Sequence, residues 1–495
     1  MKRTTAPRVR RLLIGALAAL ALQLAPLQTF AAQQKSDDTL LEAFHLILDN
    51  HYTHPDENAL LQAAIKGMLD SLDDPFSNYM SAEEYQDFMN AINQSYAGIG
   101  ITIEADEESP ALVVAGLVAD APASKAGILA GDRIVGIDGV AVTADTLEAA
   151  PAKIRGKEGT AVTLQVVRNG KRIDFTVIRA SLQLPEVSSD DLGDGIAYIR
   201  IFTFGDNTAS EFDQALKAAT AKKPKGLVLD LRGNGGGSVL AALQVADQFL
   251  KSGKILIVHD QGEEAAIEAD SEGTDLPVTV LIDENTASAS EMLAGALQRN
   301  GRAKLVGVTS YGKGTMQAPY DLPNGSELKV SIDNWELPDG TSIQKTGLTP
   351  DVYIERPEAA ANAAKQLLLP DRRQTLTLSR KSATGKLNGT IELIDVPSPR
   401  VASGVTYVPL RYVFESFGSQ IDWDPDKRLI HFEHEGKKVT VDLRKQAVTI
   451  DGKKVAAVQA IRSFGESAYV STAVIKAITG SAVNVTSAAV TMYSK

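Results

Sequence analysis

Over the first hundred residues the apolar positions recur with helical spacing. Leu40, Leu41, Phe44, Ile47 and Leu48 form one stripe, and Ala63, Ala64, Ile65, Met68 and Leu69 form a second within Ala59–Leu72. Residues 36–93 therefore read as a helical region, with a further helix over Ser81–Phe88 capped by Ser81 and Glu84. From residue 94 the runs become strand-like. Val162–Arg168 and Ile173–Ile178 flank Asn169-Gly170, a dipeptide suited to a two-residue hairpin turn. Residues 183–357 alternate strand-like runs (Ile196–Ile201, Gly226–Leu231, Ile255–His259, Val278–Ile282, Lys304–Val308) with helical ones (Glu211–Ala219, Ser238–Lys251, Glu291–Gln298). This alternation predicts an α/β layer with crossover connections. Residues 358–388, with Pro370-Asp371-Arg372-Arg373 and a Ser/Lys-rich stretch, read as a helix end and linker. Residues 389–495 carry an internal repeat. Gly404-Val405-Thr406-Tyr407-Val408-Pro409-Leu410 and Gly465-Glu466-Ser467-Ala468-Tyr469-Val470-Ser471 each open a strand, short helix, glycine turn and strand, with a period of about 62 residues.

With 495 residues, 44% of them hydrophobic, the chain is long enough for several domains with sizeable cores. A formal net charge of −12 argues against nucleic acid as a partner. Residues 1–32 read as a secretory signal: Lys2, Arg3, Arg8, Arg10 and Arg11 precede the apolar run Leu12–Leu24, and Thr29-Phe30-Ala31-Ala32 offers small residues for cleavage. The other reading of this segment is an uncleaved amino-terminal anchor. Either way the chain is expected to be exported. It has no cysteine, so its stability must come from burial rather than disulfides.

The absence of cysteine also removes any thiol nucleophile. The six histidines show no zinc-binding spacing, and His259 sits at the end of a strand-like run, so neither metal nor cofactor is implied. The remaining chemistry lies in two motifs. Thr286-Ala287-Ser288-Ala289-Ser290-Glu291 stands between an apolar strand and a helix, where a serine hydroxyl is exposed beside the positive end of the helix dipole. Tyr311-Gly312-Lys313-Gly314-Thr315-Met316-Gln317 sets a lysine between glycines, which let backbone pack closely and shield the amine. A desolvated lysine loses pKa and can act as a general base toward a serine.

The order and spacing of these motifs resemble the carboxyl-terminal processing proteases, the tail-specific serine peptidases of family S41. The resemblance implies that Ser288 is the nucleophile, Lys313 the general base and Gln317 the third catalytic residue. Positions four apart on a strand share a face, so Gln317 can orient Lys313. Ser290 then falls to a first-turn helix position. Asp230-Leu231-Arg232-Gly233-Asn234-Gly235-Gly236-Gly237-Ser238 matches the family's glycine loop and lacks the Lys-Ser/Thr of a phosphate loop. Either Gly235 or Gly236, with Ala289, would supply the oxyanion-hole amides. Asp74-Pro75-Phe76-Ser77-Asn78-Tyr79 matches the family's amino-terminal helical domain, which implies a homodimer through those helices.

Residues 94–182 resemble a PDZ domain. Gly98-Ile99-Gly100-Ile101 would hold a peptide's terminal carboxylate on backbone amides, and the implied partners are protein and peptide carboxyl termini. Arg168, beside the Asn169-Gly170 turn, is a candidate interdomain contact that gates the protease. Residues 389–495 resemble the copper amine oxidase N-terminal-like stalk domain of surface proteins, with a wall-facing or spacer role expected and no copper.

The fold class expected is a multidomain α/β protein: a ClpP/crotonase-like core over 183–357, amino-terminal helices over 36–93, an inserted α+β PDZ domain over 94–182 and a carboxy-terminal α+β repeat domain. The rival reading is a non-catalytic peptide-binding scaffold of the cell envelope that retains the fold. The presence of Ser288, Lys313 and Gln317 together argues against it.

Overall fold

The computed structural model describes residues 27–106, 111–260, 263–457 and 459–494. The signal-like segment expected over 1–32 lies outside them except for its last residues, which belong to the helix Leu27–Asn50. The chain divides into two compact units, one formed by residues up to Ser81 with Pro319–Val330 and the other by Ala82–Ala318 with Ser331–Lys495.

In the first unit, the helix Leu27–Asn50 is followed by Glu57–Asp70. Asp56 starts the latter by accepting the Ala59 amide at 2.8 Å, an N-cap that satisfies an otherwise orphaned donor. Asp74 then accepts from the Phe76 amide (3.0 Å) and the Ser77 hydroxyl (2.5 Å), which fixes the Asp-Pro-Phe-Ser turn. Strand β1 (Asn78–Met80) pairs antiparallel with Glu327–Lys329. The predicted helical region over 36–93 is thus interrupted by a strand, and its last helix, Ala82–Ile92, belongs to the second unit.

The PDZ region contains β2 (Ser95–Gly98), β3 (Ile101–Ala105), β4 (Leu112–Leu117), β5 (Arg133–Ile137), β6 (Val140–Ala141), β7 (Ala161–Arg168), β8 (Lys171–Ile178) and β9 (Ala180–Gln183). Its main sheet runs β3-β4-β5-β7-β8, and β2 pairs with β9. The turn between β7 and β8 has Asn169 and Gly170 at φ 51° and 74°, the left-handed geometry their identities predict. Ile99, Leu112, Val114, Ile134, Val162, Leu164 and Val166 fill the core.

The region expected to form the core, 183–357, has a six-stranded sheet: β10 (Val187–Asp191), β11 (Ile196–Ile201), β12 (Gly226–Asp230), then β15 (Val278–Ile282), β16 (Ala303–Gly307) and β19 (Val352–Tyr353), with β13 (Lys254–Asp260), β14 (Glu263–Glu268), β17 (Thr315–Asp321) and β18 (Glu327–Glu336) outside this sheet. β11, β12, β15, β16 and β19 are parallel, and β10 closes one edge antiparallel. Strand alternation sorts the two faces. Ile199, Leu227, Leu229, Val280 and Leu305 meet the helices Thr208–Ala221, Val239–Asp247 and Ala289–Arg299, while Ile196, Val228, Leu281 and Val306 meet Pro357–Leu368. Both faces are covered, as a parallel sheet requires.

Two expectations are corrected. Ile255–His259 is a strand but lies outside the parallel sheet; β13 pairs antiparallel with β14 and β18. Residues 358–388 are not a linker. Ala359, Ala360, Ala363 and Ala364 put a smooth face of the helix Pro357–Leu368 on the sheet. The strands Gln374–Ser379 and Thr384–Leu387 already belong to the carboxy-terminal domain. There, Gln374–Ser379 pairs with Ala489–Ser494. The repeat is real in space: Val405–Pro409 and Ser467–Ser471, each leading into a short helix, pair antiparallel with one another.

At the carboxyl end of β12, Arg232 grips Asp230 by two hydrogen bonds (2.9 and 2.6 Å), and the Tyr198 hydroxyl donates to the same carboxylate at 2.7 Å. Burial pushes the Tyr198 phenol up to about 12, assisted by that bond. Burial also pushes the Asp230 carboxyl up, but the hydrogen bonds and charge of Arg232 outweigh it and hold the carboxyl below its ordinary range. A carboxyl with a depressed folded pKa stabilises the fold above its unfolded value, about 3.9, and loses that contribution as the pH falls through the folded value. Melting temperature measured against pH should therefore drop steeply below about pH 4, and Asp230→Asn should flatten that acid limb while lowering stability at neutral pH.

Candidate active site

The loops after β12, β15 and β16, three adjacent parallel strands, carry the glycine motif, Ser288 and Lys313 in that order. The carboxyl ends of parallel strands are where open α/β sheets place their sites. Ser288 is the residue before the helix Ala289–Arg299, with φ 54° and ψ −118°. Such a conformation in a non-glycine residue costs about 1–3 kcal/mol and persists only when its surroundings hold it. Ser288 is largely buried here, next to the helix amino terminus.

What holds it is Glu291, one turn along and completely buried. Its Oε2 accepts the backbone amides of Ser288 (2.8 Å) and Lys313 (2.9 Å). Its Oε1 accepts the Ser310 hydroxyl (2.5 Å) and the Gly312 amide (2.7 Å). One carboxylate thus ties the serine and lysine motifs through four donors. The Tyr311 amide adds a bond to the Thr286 carbonyl at 3.0 Å. Ser310 extends the network by accepting the Leu348 amide at 2.7 Å.

The glycines flanking Lys313 are needed for close approach. A side chain at Gly312 (φ 89°) would come within 2.7 Å of the Gly347 amide, and one at Gly314 would press on Gln344. Gln344 Oε1 accepts the Gly314 amide at 2.6 Å. Lys313 is half-buried between these loops. Gln317 Nε2 donates to Thr315 Oγ1 (2.9 Å) and Ser331 Oγ (3.2 Å). The Ser290 hydroxyl is buried and donates to the Asn234 carbonyl at 3.0 Å.

Asn234 locks the glycine loop to the serine turn. Its carbonyl also accepts the Ala287 amide (3.0 Å), its Nδ2 donates to Ile201 O (3.0 Å), and its Oδ1 accepts the Gly236 amide (2.9 Å). Gly236 lies against the serine turn: a Cβ there would be 2.8 Å from Ala287 O, 2.9 Å from Ser288 Cβ and 3.1 Å from Ala289 N. Gly235 meets nothing within 4 Å. Sequence reasoning singled out neither Glu291, Ser310 nor Asn234 as part of the site. Glu291 carried a signal, since Ser-x-x-Glu before an apolar run is a capping box.

Residues 195–354 match peptidase family S41, residues 97–178 a PDZ domain, and residues 22–84 the N-terminal domain of the activating protease CtpB. The chain is 35% identical over 327 residues to the carboxy-terminal processing protease CtpA of Bacillus subtilis, covering 65% of this chain and 70% of that one. It is 38% identical over 326 residues to the carboxy-terminal-processing protease of Bartonella bacilliformis, covering 64% and 74%. The chain belongs to the carboxy-terminal processing proteases of family S41. It is a serine protease with a peptide-binding PDZ domain. Among solved structures, the photosystem II D1 C-terminal processing protease is similar at 30% identity and a TM-score of 0.40, over 63% of this chain and 85% of that one.

In the S41 chain, the loop expected to hold a terminal carboxylate, Gly98–Ile101, lies at the junction of β2 and β3. Ile99 is buried and its carbonyl accepts the Ala123 amide at 2.8 Å. Gly100 has φ 79°, and a Cβ there would fall 2.3 Å from that of Ala121, so only glycine fits. Among the described residues β3 pairs only with β4, which leaves its other edge open. Arg168, expected between domains, is engaged inside the PDZ domain. It makes a bidentate pair with buried Asp132 (2.6 Å twice), donates to Gly127 O (2.8 Å) and stacks over Phe175.

Residues 376–494 match the copper amine oxidase N-terminal domain. The side chains there do not fit a copper site. His434 is buried with its two nitrogens against Ser419 Oγ (2.9 Å) and Ser494 Oγ (3.1 Å), whereas His431 lies beside Thr440. No cluster of three or more potential ligands occurs among the described residues.

Replacing Glu291 with Gln puts an amide group where two donors converge. It should lower unfolding free energy by roughly 2–4 kcal/mol, the cost of leaving buried amides without acceptors, and remove most peptidase activity. Chemical denaturation alongside a turnover assay checks both. Glu291→Asp, which keeps the charge but not the reach, should also lose activity.

Proposed function

We propose that the chain is an exported endopeptidase that selects substrates by their carboxyl termini and cleaves them with a Ser288–Lys313 dyad oriented by Gln317. The observation that carries this reading is the shared oxygen of Glu291, which receives the amides of both Ser288 and Lys313 and so keeps the two motifs side by side. Lys313, neutral at the start, takes the Ser288 Oγ proton while Oγ attacks the scissile carbonyl carbon. The oxyanion is held by the Ala289 amide at the helix amino terminus and by an amide of the Gly235–Gly236 pair. Packing favours Gly236, although its amide must then leave or share Asn234 Oδ1. As the tetrahedral intermediate collapses, Lys313 delivers its proton to the departing amine. Water, deprotonated by Lys313, then hydrolyses the acyl-enzyme and releases Ser288.

The substrate's last residues add as a strand to the open edge of β3, with the terminal carboxylate on the amides of Gly98–Ile101. Export rests on the basic-then-apolar pattern of residues 1–32. Dimerisation rests on the amino-terminal helices, where Leu40, Leu41, Ile47 and Met68 are each about half exposed.

On an unfolded protein with an apolar carboxyl terminus, Ser288→Ala and Lys313→Ala should each cut turnover by at least about a thousandfold. Ser290→Ala should retain most of it if its fold is kept. The wild-type rate should fall as the pH is lowered and Lys313 becomes protonated. Full activity of Lys313→Ala would overturn the dyad.

A further inference from the structure

The carboxy-terminal domain contains a cavity of about 450 Å³ that reaches Glu355 and Arg356 at the end of the protease core. Leu410, Ile421 and Ile430 make it apolar, and Trp423, 43% exposed, stands among its lining residues. The Tyr412 side chain is buried with the Arg356 guanidinium 3.8 Å from its ring centre, and its hydroxyl makes no well-formed hydrogen bond among the described residues. An orphaned buried hydroxyl is unfavourable unless something else completes it. Burial pushes the Tyr412 phenol above its ordinary range, so the hydroxyl stays a donor.

The charges are unevenly committed. Arg356 is used by Glu358 and Glu415, and Arg411 by Glu415. Arg428, exposed at the same cavity, makes no ion pair among the described residues. Glu355 and Glu466 also line it, so charges of both signs surround an apolar floor and the cavity does not suit a polyanion. Trp423 lies on the strand Asp422–Asp424, the last of its sheet, which among the described residues pairs only with Leu429–His434. Its outer edge is free to accept another strand.

We propose that this cavity is a second peptide-binding site, taking an extended apolar segment with its side chain on the aliphatic floor, its backbone along Asp422–Asp424, a carbonyl on the Tyr412 hydroxyl and its carboxylate on Arg428. The proposal rests on the reading of the chain as a peptide-handling protease and adds a place, apart from the PDZ domain, where a substrate's carboxyl-terminal segment is held.

The test uses the full chain carrying Ser288→Ala, to prevent turnover, and a short fluorescein-labelled apolar peptide with a free carboxyl terminus. Two classes of site are expected. Tyr412→Phe should weaken one class about three- to tenfold, as expected for one neutral hydrogen bond. Arg428→Ala should weaken the same class, and both should leave the other class and the melting temperature unchanged. Gly100→Val should remove only the PDZ class, which separates failure of the PDZ reading from failure of this one. A single class indifferent to Tyr412→Phe and Arg428→Ala would overturn the proposal. So would displacement of nothing but a soluble wall oligosaccharide from the cavity, which would make it a glycan site.

Discussion

The candidate site depends on one buried carboxylate with more donors than a capping residue normally gathers. Glu291 sits one turn into a helix, where the dipole already favours negative charge, and its four bonds reach two loops of the chain. Because Glu291 is inaccessible to water, its donors have no substitute partner, so the network behaves as a unit. The strained backbone of Ser288 is sustained by these bonds, and the lysine loop is registered against the same atoms. The four donors to the Glu291 carboxylate are three backbone amides and the Ser310 hydroxyl, so this part of the scaffold is built from groups other than those proposed to react.

Asn234 performs the matching task on the other side. By receiving Ala287 and Ser290 on its carbonyl and holding Gly236 on its side chain, it joins the loop after β12 to the loop after β15. Neighbouring parallel strands bring the loops close, and the polar side chains set the fine spacing. The strands are regular because their residues alternate cleanly between two covered faces, and the loops are irregular because glycine permits backbone contacts that a Cβ would block.

Much of this was legible in the residues. The parallel strands follow from short apolar runs separated by helical ones, and the motifs fall where strand ends predict. The hairpin of β17 and β18 was hidden because Pro319 and many polar residues break its alternation. The helix Pro357–Leu368 looked like the start of a linker because its sheet-facing residues are alanines, which carry little hydrophobic signal yet permit close packing. The reach of Glu291 to Ser310 and Lys313 could not be read, since a capping box specifies only local partners. Arg168 illustrates the same limit: Asp132, its partner, is 36 residues away, and only the fold brings the two together.

The pairing of Gln374–Ser379 with Ala489–Ser494 also has a meaning for biosynthesis. The sheet holding the protease chemistry is complete once the helix ending at Leu368 has been made. The strand that follows gains Thr384–Leu387 as one neighbour at once, but its other edge must wait until more than a hundred further residues have been translated. During that interval Gln374–Ser379 is a nascent edge exposed to misassembly, beside a protease core that can already be folded.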